Sequence, residues 1–157
     1  MHWVPIPANL NCIMTQKVHP SGLTDQQISD LHNLANAAAQ NSYSPYSKFR
    51  VGAAVLLADG SIHTGCNVEN ASYRLTTCAE QTAICKAVSM LGPNIRIRAI
   101  AVVNLNGAAC MPCGACRQTL LEFSDTETWI FFPGTGGAAA AAPLSALLPF
   151  AFRLAHD

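Results

Sequence analysis

The chain has 157 residues, half of them apolar and only 11% charged, and its nine acidic residues balance nine Lys and Arg. That length suits one domain with a real core, and zero net charge with no basic stripe beyond Arg96 and Arg98 argues against a partner built on a phosphate backbone. No run reaches the roughly 18 apolar residues of a membrane span; a small neutral molecule is the expected partner, and so sparse a charge, against about a quarter in ordinary soluble domains, predicts surface buried against other subunits.

Residues 1–22 lack periodicity and carry Pro5, Pro7 and Pro20. They read as an arm, and residues 23–157 as a single domain. Met1–Leu10 has neither the basic start nor the long apolar stretch of a secretory leader. A cytoplasmic, reducing setting is therefore expected, in which spaced cysteines point to metal or catalysis before disulfides. Thr24 and Gln27 match a capping box, and Ile28, Leu31, Leu34, Ala35 and Ala38 form an apolar stripe. The helix they predict runs to about Asn41. Ser42–Ser47, with Pro45, is a loop.

Phe49–Ala58 and Ser61–Glu69 read as two strands joined at Asp59-Gly60, a strong hairpin signal. The first is apolar on both faces and should be central. In the second, Ile62, Thr64, Cys66 and Val68 share one face and His63, Gly65, Asn67 and Glu69 the other, which sets Asn67 and Glu69 about 7 Å apart on one side. A loop follows to Thr77, then a helix over Cys78–Leu91 stopped by Gly92-Pro93. Arg98–Asn104 is a strand, Pro112–Phe123 a helix and Trp129–Phe132 a strand. Residues 134–142 are Gly- and Ala-rich, so a further strand there is in doubt, and Leu144–Leu148 makes a last short helix. Strands interleaved with helices after a hairpin predict an α/β fold with a mixed sheet covered on both faces.

Chemistry concentrates at Cys78, Cys113 and Cys116. Zinc takes thiolates readily, and a catalytic site has three protein ligands and leaves a fourth position to water. Each cysteine falls at a predicted helix start, where free N–H groups favour the thiolate. Glu80, two residues after Cys78, is placed to move protons beside an activated water. Taken one at a time, these residues have plainer readings. The cysteines could be buried thiols or a structural zinc site, and Thr77-x-x-Glu80 is itself a capping-box pattern. Asn67 and Glu69 could be solvated strand residues, Phe49 and Phe152 core aromatics, and Tyr73 a surface side chain. His63 reads as a strand-face residue, and Cys12, Cys66, Cys85 and Cys110 as structural.

The set Cys78-Ala79-Glu80 with Pro112-Cys113-Gly114-Ala115-Cys116 resembles the signature of the zinc nucleobase deaminases. Phe49–Ala54, Gly65–Asn70 and Leu147-Leu148-Pro149 narrow the resemblance, over roughly residues 24–152, to the small homotetrameric cytidine deaminases. That resemblance implies a three-layer α/β/α fold and one Zn²⁺ per subunit on Cys78, Cys113 and Cys116. It implies hydrolysis of cytidine and 2′-deoxycytidine at C4 by a zinc-activated water in pyrimidine salvage, with Glu80 protonating N3 and carrying a proton to ammonia. Asn67 and Glu69 would bind the ribose and Phe49 the base, and Ala79 belongs to the same substrate-binding set. Ala71 and Tyr73 would reach a neighbouring subunit's site, and Phe152 would close over substrate.

One departure stands out. Family members with three cysteine ligands usually carry Arg after the catalytic Glu, and here that residue is Gln81. Three thiolates and a divalent ion leave a formal charge of about −1, which Arg117 or Arg74 would offset. Other readings of the chain are deamination of a cytosine-nucleoside analogue, nucleic-acid editing, which the neutral composition disfavours, and a non-catalytic zinc module.

Overall fold

The computed structural model describes residues 22–154, so the N-terminal arm and Cys12 lie outside the described residues. A helix, α1 (Asp25–Ala39), opens the chain. Thr24 caps it in the expected box, its hydroxyl accepting from the Gln27 N–H while the Gln27 side chain accepts from the Thr24 N–H. Leu31, Ala35 and Ala39 are the buried positions; Leu34, expected in the stripe, is exposed because it lies off the face that meets the sheet.

The hairpin forms as predicted between β1 (Val51–Leu57) and β2 (Ile62–Cys66), with Gly60 at φ 88° in the turn. Next come α2 (Ala79–Leu91), β3 (Ile97–Asn104), α3 (Gly114–Glu122), β4 (Ser124–Pro133), β5 (Ala139–Pro143) and α4 (Leu144–Leu147). The sheet order is β2-β1-β3-β4-β5. Only β3 and β4 are parallel, and α3 makes the crossover that such a pair requires. The remaining neighbours are antiparallel. β1 is buried along its whole length, as its two-sided apolar pattern requires.

The doubt over residues 134–142 resolves into a short 3-10 turn, Thr135–Gly137, followed by a strand. Ala139–Pro143 pairs antiparallel with Phe132–Trp129 and its neighbours, so the sheet ends on β5. Alanine has little strand preference of its own; pairing with β4 holds the run in place.

The layers are α1 on one face and α2, α3 and α4 on the other. Leu31, Ala35, Ala54, Leu56 and Phe131 pack the α1 side. Val55, Ala83, Ile84, Ile100, Leu120 and Ile130 pack the opposite side. No helix among the described residues is long and apolar enough to cross a membrane.

Candidate active site

Two helix starts on the second face converge. Cys78 is the N-cap of α2. Cys113 is the N-cap of α3, and its sulfur accepts from the Cys116 N–H at 3.5 Å. The three sulfurs lie within 4.8 Å of one another, and among the described residues they form the one cluster of its kind. In a tetrahedral zinc site with Zn–S near 2.3 Å, sulfurs sit about 3.8 Å apart, so the donor set and its spacing fit zinc. Cys116 is buried, Cys78 half-buried and Cys113 exposed, so one side of the cluster is open to solvent.

The thiols are electrostatically paired. A hydrogen bond from the Cys116 thiol draws Cys78 down to about 7, although burial and the nearby Glu80 push the other way. The same bond, with burial adding to it, pushes the Cys116 thiol up. Cys110 is pushed up to about 11 chiefly by burial, which suits a thiol outside the cluster.

Glu80 is 4% exposed. Burial raises its carboxyl above the ordinary value of 4.5, opposed by its own backbone and by a hydrogen bond with Cys116. That contact sets the carboxyl against the cluster. The capping-box alternative for Glu80 fails: the N-cap position of α2 is Cys78, not Thr77, its side chain makes no capping bond, and Glu80 falls in the second helical position. Ala79, between the two, is fully buried.

β2 ends at Cys66, short of the expected Glu69, yet Val68 bridges to both Tyr43 and Thr77 and keeps the chain extended. Asn67 is turned inward at 8% exposure. Its Oδ1 accepts from the Val51 N–H at 2.8 Å and from the Ser42 hydroxyl, and its Nδ2 donates to the Phe49 carbonyl at 2.9 Å. An amide carries two N–H donors, so one remains for a ligand. Glu69 accepts from the Tyr46 N–H at 2.9 Å, the Ser47 N–H at 3.2 Å and the Ser47 hydroxyl. These bonds, led by the Ser47 hydroxyl, hold its carboxyl below the usual range. Phe49, Asn67 and Glu69 thus share one network with the 42–51 segment, in which Ser42 and Ser47 give no sequence signal.

Three other expected residues stand apart. Ala71 is exposed, Tyr73 is 76% and Phe152 68% exposed; Tyr73 edges the Tyr46 ring at 6.3 Å. Arg74 is exposed. The Gln81 amide reaches Thr119 Oγ1 at 3.5 Å, a long contact between α2 and α3. Gly65 was legible only as a glycine in a strand, the usual mark of a close backbone approach. A Cβ there would lie 2.4 Å from the Ala83 nitrogen and 2.6 Å from the Ala79 oxygen, so this glycine lets α2 settle onto β2.

Residues 25–132, more than half of the chain, match the model of the cytidine and deoxycytidylate deaminase zinc-binding region. The chain belongs to this deaminase family. Cytidine deaminase of Mycobacterium tuberculosis is 47% identical over 124 residues, which are 79% of this chain and 88% of that protein. The crystal structure of cytidine deaminase from that organism superposes with a TM-score of 0.70 at 44% identity, covering 84% of this chain and all of the other. The Burkholderia pseudomallei cytidine deaminase superposes at 0.71 and 39% identity, over 83% of this chain and 100% of its own. The fold is that of these enzymes, and hydrolytic deamination at a zinc-binding domain is the activity of the family. The cysteine cluster is where a deaminase of this kind could hold its one zinc.

Proposed function

We propose that the protein hydrolyses free cytidine and 2′-deoxycytidine to uridine and 2′-deoxyuridine, releasing ammonia, as a step of pyrimidine salvage. The observation that carries this reading is the convergence of three thiols, and no fourth ligand among the described residues, beside one buried carboxyl. Cys78, Cys113 and Cys116 would hold the metal. Bound zinc supplies Lewis-acid activation of water at neutral pH.

The rest of the work falls to the chain's own groups. Glu80, shielded from solvent, would shuttle a proton to ring N3 and then to the departing amine. The free N–H of Asn67 and the carboxylate of Glu69 would bind ribose hydroxyls, and Phe49 would line the base pocket beside the Ala79 backbone. The preset hydrogen bonds of Asn67 and Glu69 support that reading, because groups fixed before binding lose little entropy when they bind.

Ala71, Tyr73 and Phe152 make sense as residues of a shared site. Each is exposed in the single chain, and the 11% charged fraction leaves much uncharged surface to cover. A homotetramer whose subunits complete one another's sites accounts for both, with residues 23–157 acting as one catalytic domain. Free thiols at six described cysteines suit the reducing cytoplasm. Sedimentation at the mass of one chain would contradict the tetramer.

The test of function is direct. Purified protein should consume cytidine and 2′-deoxycytidine, lose the activity to a chelator and regain it with zinc. Zinc-loaded protein that leaves both nucleosides intact, or prefers a cytosine-nucleoside analogue to them, would contradict the reading.

A further inference from the structure

Arg117 lies one residue beyond Cys116 and is half-buried. Its Nε donates to the Pro112 carbonyl at 2.7 Å, and its Nη1 donates to the Leu147 carbonyl at 2.9 Å. Its backbone N–H donates to the Cys113 carbonyl at 3.0 Å. Pro112 immediately precedes Cys113, and Leu147 is the last residue of α4, from which the chain runs out through Phe152.

That C-terminal run has little packing of its own: Phe150 is fully exposed, and Phe152 and Leu154 are largely so. Polar tethers hold it instead. The neighbouring Gln118 amide donates to the Phe152 carbonyl at 3.3 Å, and Arg153 reaches the Ser124 carbonyl. A guanidinium presents its donors in a rigid planar fork, so the two carbonyls on Arg117 cannot shift independently. Both partners are neutral carbonyls, so neither cancels its positive charge.

The geometry points to Arg117 as a positioning residue that sets the metal loop and the C-terminal segment together. Holding Pro112 fixes the approach of Cys113 to the metal, and holding Leu147 fixes where the segment bearing Phe152 departs. Metal retention and substrate capture are thereby coupled through one side chain. The inference rests on the proposed roles of Cys113 and Phe152.

The test compares Arg117→Ala, Arg117→Lys and Gln118→Ala in the full chain. Zinc affinity is read by competition with a chromophoric chelator, segment order by amide exchange at Leu148, whose N–H bonds the Leu144 carbonyl at 2.9 Å, and function by KM and kcat at saturating zinc. Arg117→Ala should weaken zinc by about tenfold or more, the usual effect of losing a group that orients a ligand. It should also speed exchange at Leu148 and raise KM more than it lowers kcat. Arg117→Lys, a point donor able to satisfy one carbonyl, should fall between. Gln118→Ala, which frees only the Phe152 carbonyl, should raise KM and leave zinc affinity unchanged.

A folded Arg117→Ala with wild-type zinc affinity and exchange would overturn the inference. If that variant does not fold, wild-type zinc affinity in Arg117→Lys overturns it instead. Chelator competition uses no substrate, so a chain that holds zinc but ignores cytidine would sink the proposed function while zinc and exchange still decide the role of Arg117.

Discussion

On one face of the sheet, Gly52 lies beneath α1; on the other, Gly65 lies beneath α2. A Cβ on Gly52 would come within 2.0 Å of the Ala35 oxygen and 2.5 Å of the Ala39 nitrogen, much as one on Gly65 would meet Ala83 and Ala79. Both faces therefore seat a helix backbone directly on a strand, and both follow the contact with small alanines. Their uses differ. The residues Gly52 seats only fill space, whereas the Ala79 that Gly65 seats lies between Cys78 and Glu80. Equal packing devices thus carry unequal functional weight, and the difference comes from which end of the helix is seated: the C-terminal end of α1, but the N-terminal end of α2.

The largest effect is expected where the chemistry is removed and the packing kept. Glu80→Gln should lower kcat by about 10²–10⁴-fold, the usual worth of a positioned proton carrier, with zinc content and thermal midpoint near wild type. Loss of zinc along with activity would show that Glu80 serves the fold.

Gly52→Ala and Gly65→Ala should each cost about 1–3 kcal/mol in urea unfolding, because a methyl group forced against backbone has nowhere to go. Gly65→Ala should in addition weaken zinc binding and lower kcat, whereas Gly52→Ala should spare both in the folded fraction. Equal effects of the two on zinc would dissolve the distinction between the faces.

The smallest effect concerns Glu69. Its folded-state carboxyl titrates below the ordinary 4.5 because the Ser47 hydroxyl and nearby N–H groups favour the anion. Its stabilising contribution is therefore complete above the unfolded value and is lost as pH falls through the lowered one. The urea midpoints of wild type and Glu69→Gln should differ by a constant amount above pH about 4.5 and converge below it. A gap that widens on acidification would contradict this.

The sequence made some of these features plain and hid others for identifiable reasons. The capping box at Thr24, the Asp59-Gly60 turn and the cysteines at helix starts are local signals, readable because neighbouring residues decide them. β5 escaped because an Ala run has no strand signature and takes its form from β4. The end of β2 at Cys66 was obscured because Val68 continues the extended chain through bridges on both sides. Asn67 read as a strand-face residue, but its amide pins Val51 and Phe49, contacts from distant positions that no spacing rule reveals. Arg117 looked only like a nearby charge; its grip on two carbonyls depends on where α4 packs.

X-ray absorption at the zinc edge of purified, active protein would test the metal centre most directly. The expected spectrum has three sulfur neighbours at about 2.3 Å and one lighter oxygen neighbour at about 2.0 Å. Four sulfurs, or three sulfurs and an imidazole nitrogen, would mean that protein fills the position water needs, and would contradict a water-activating zinc centre here.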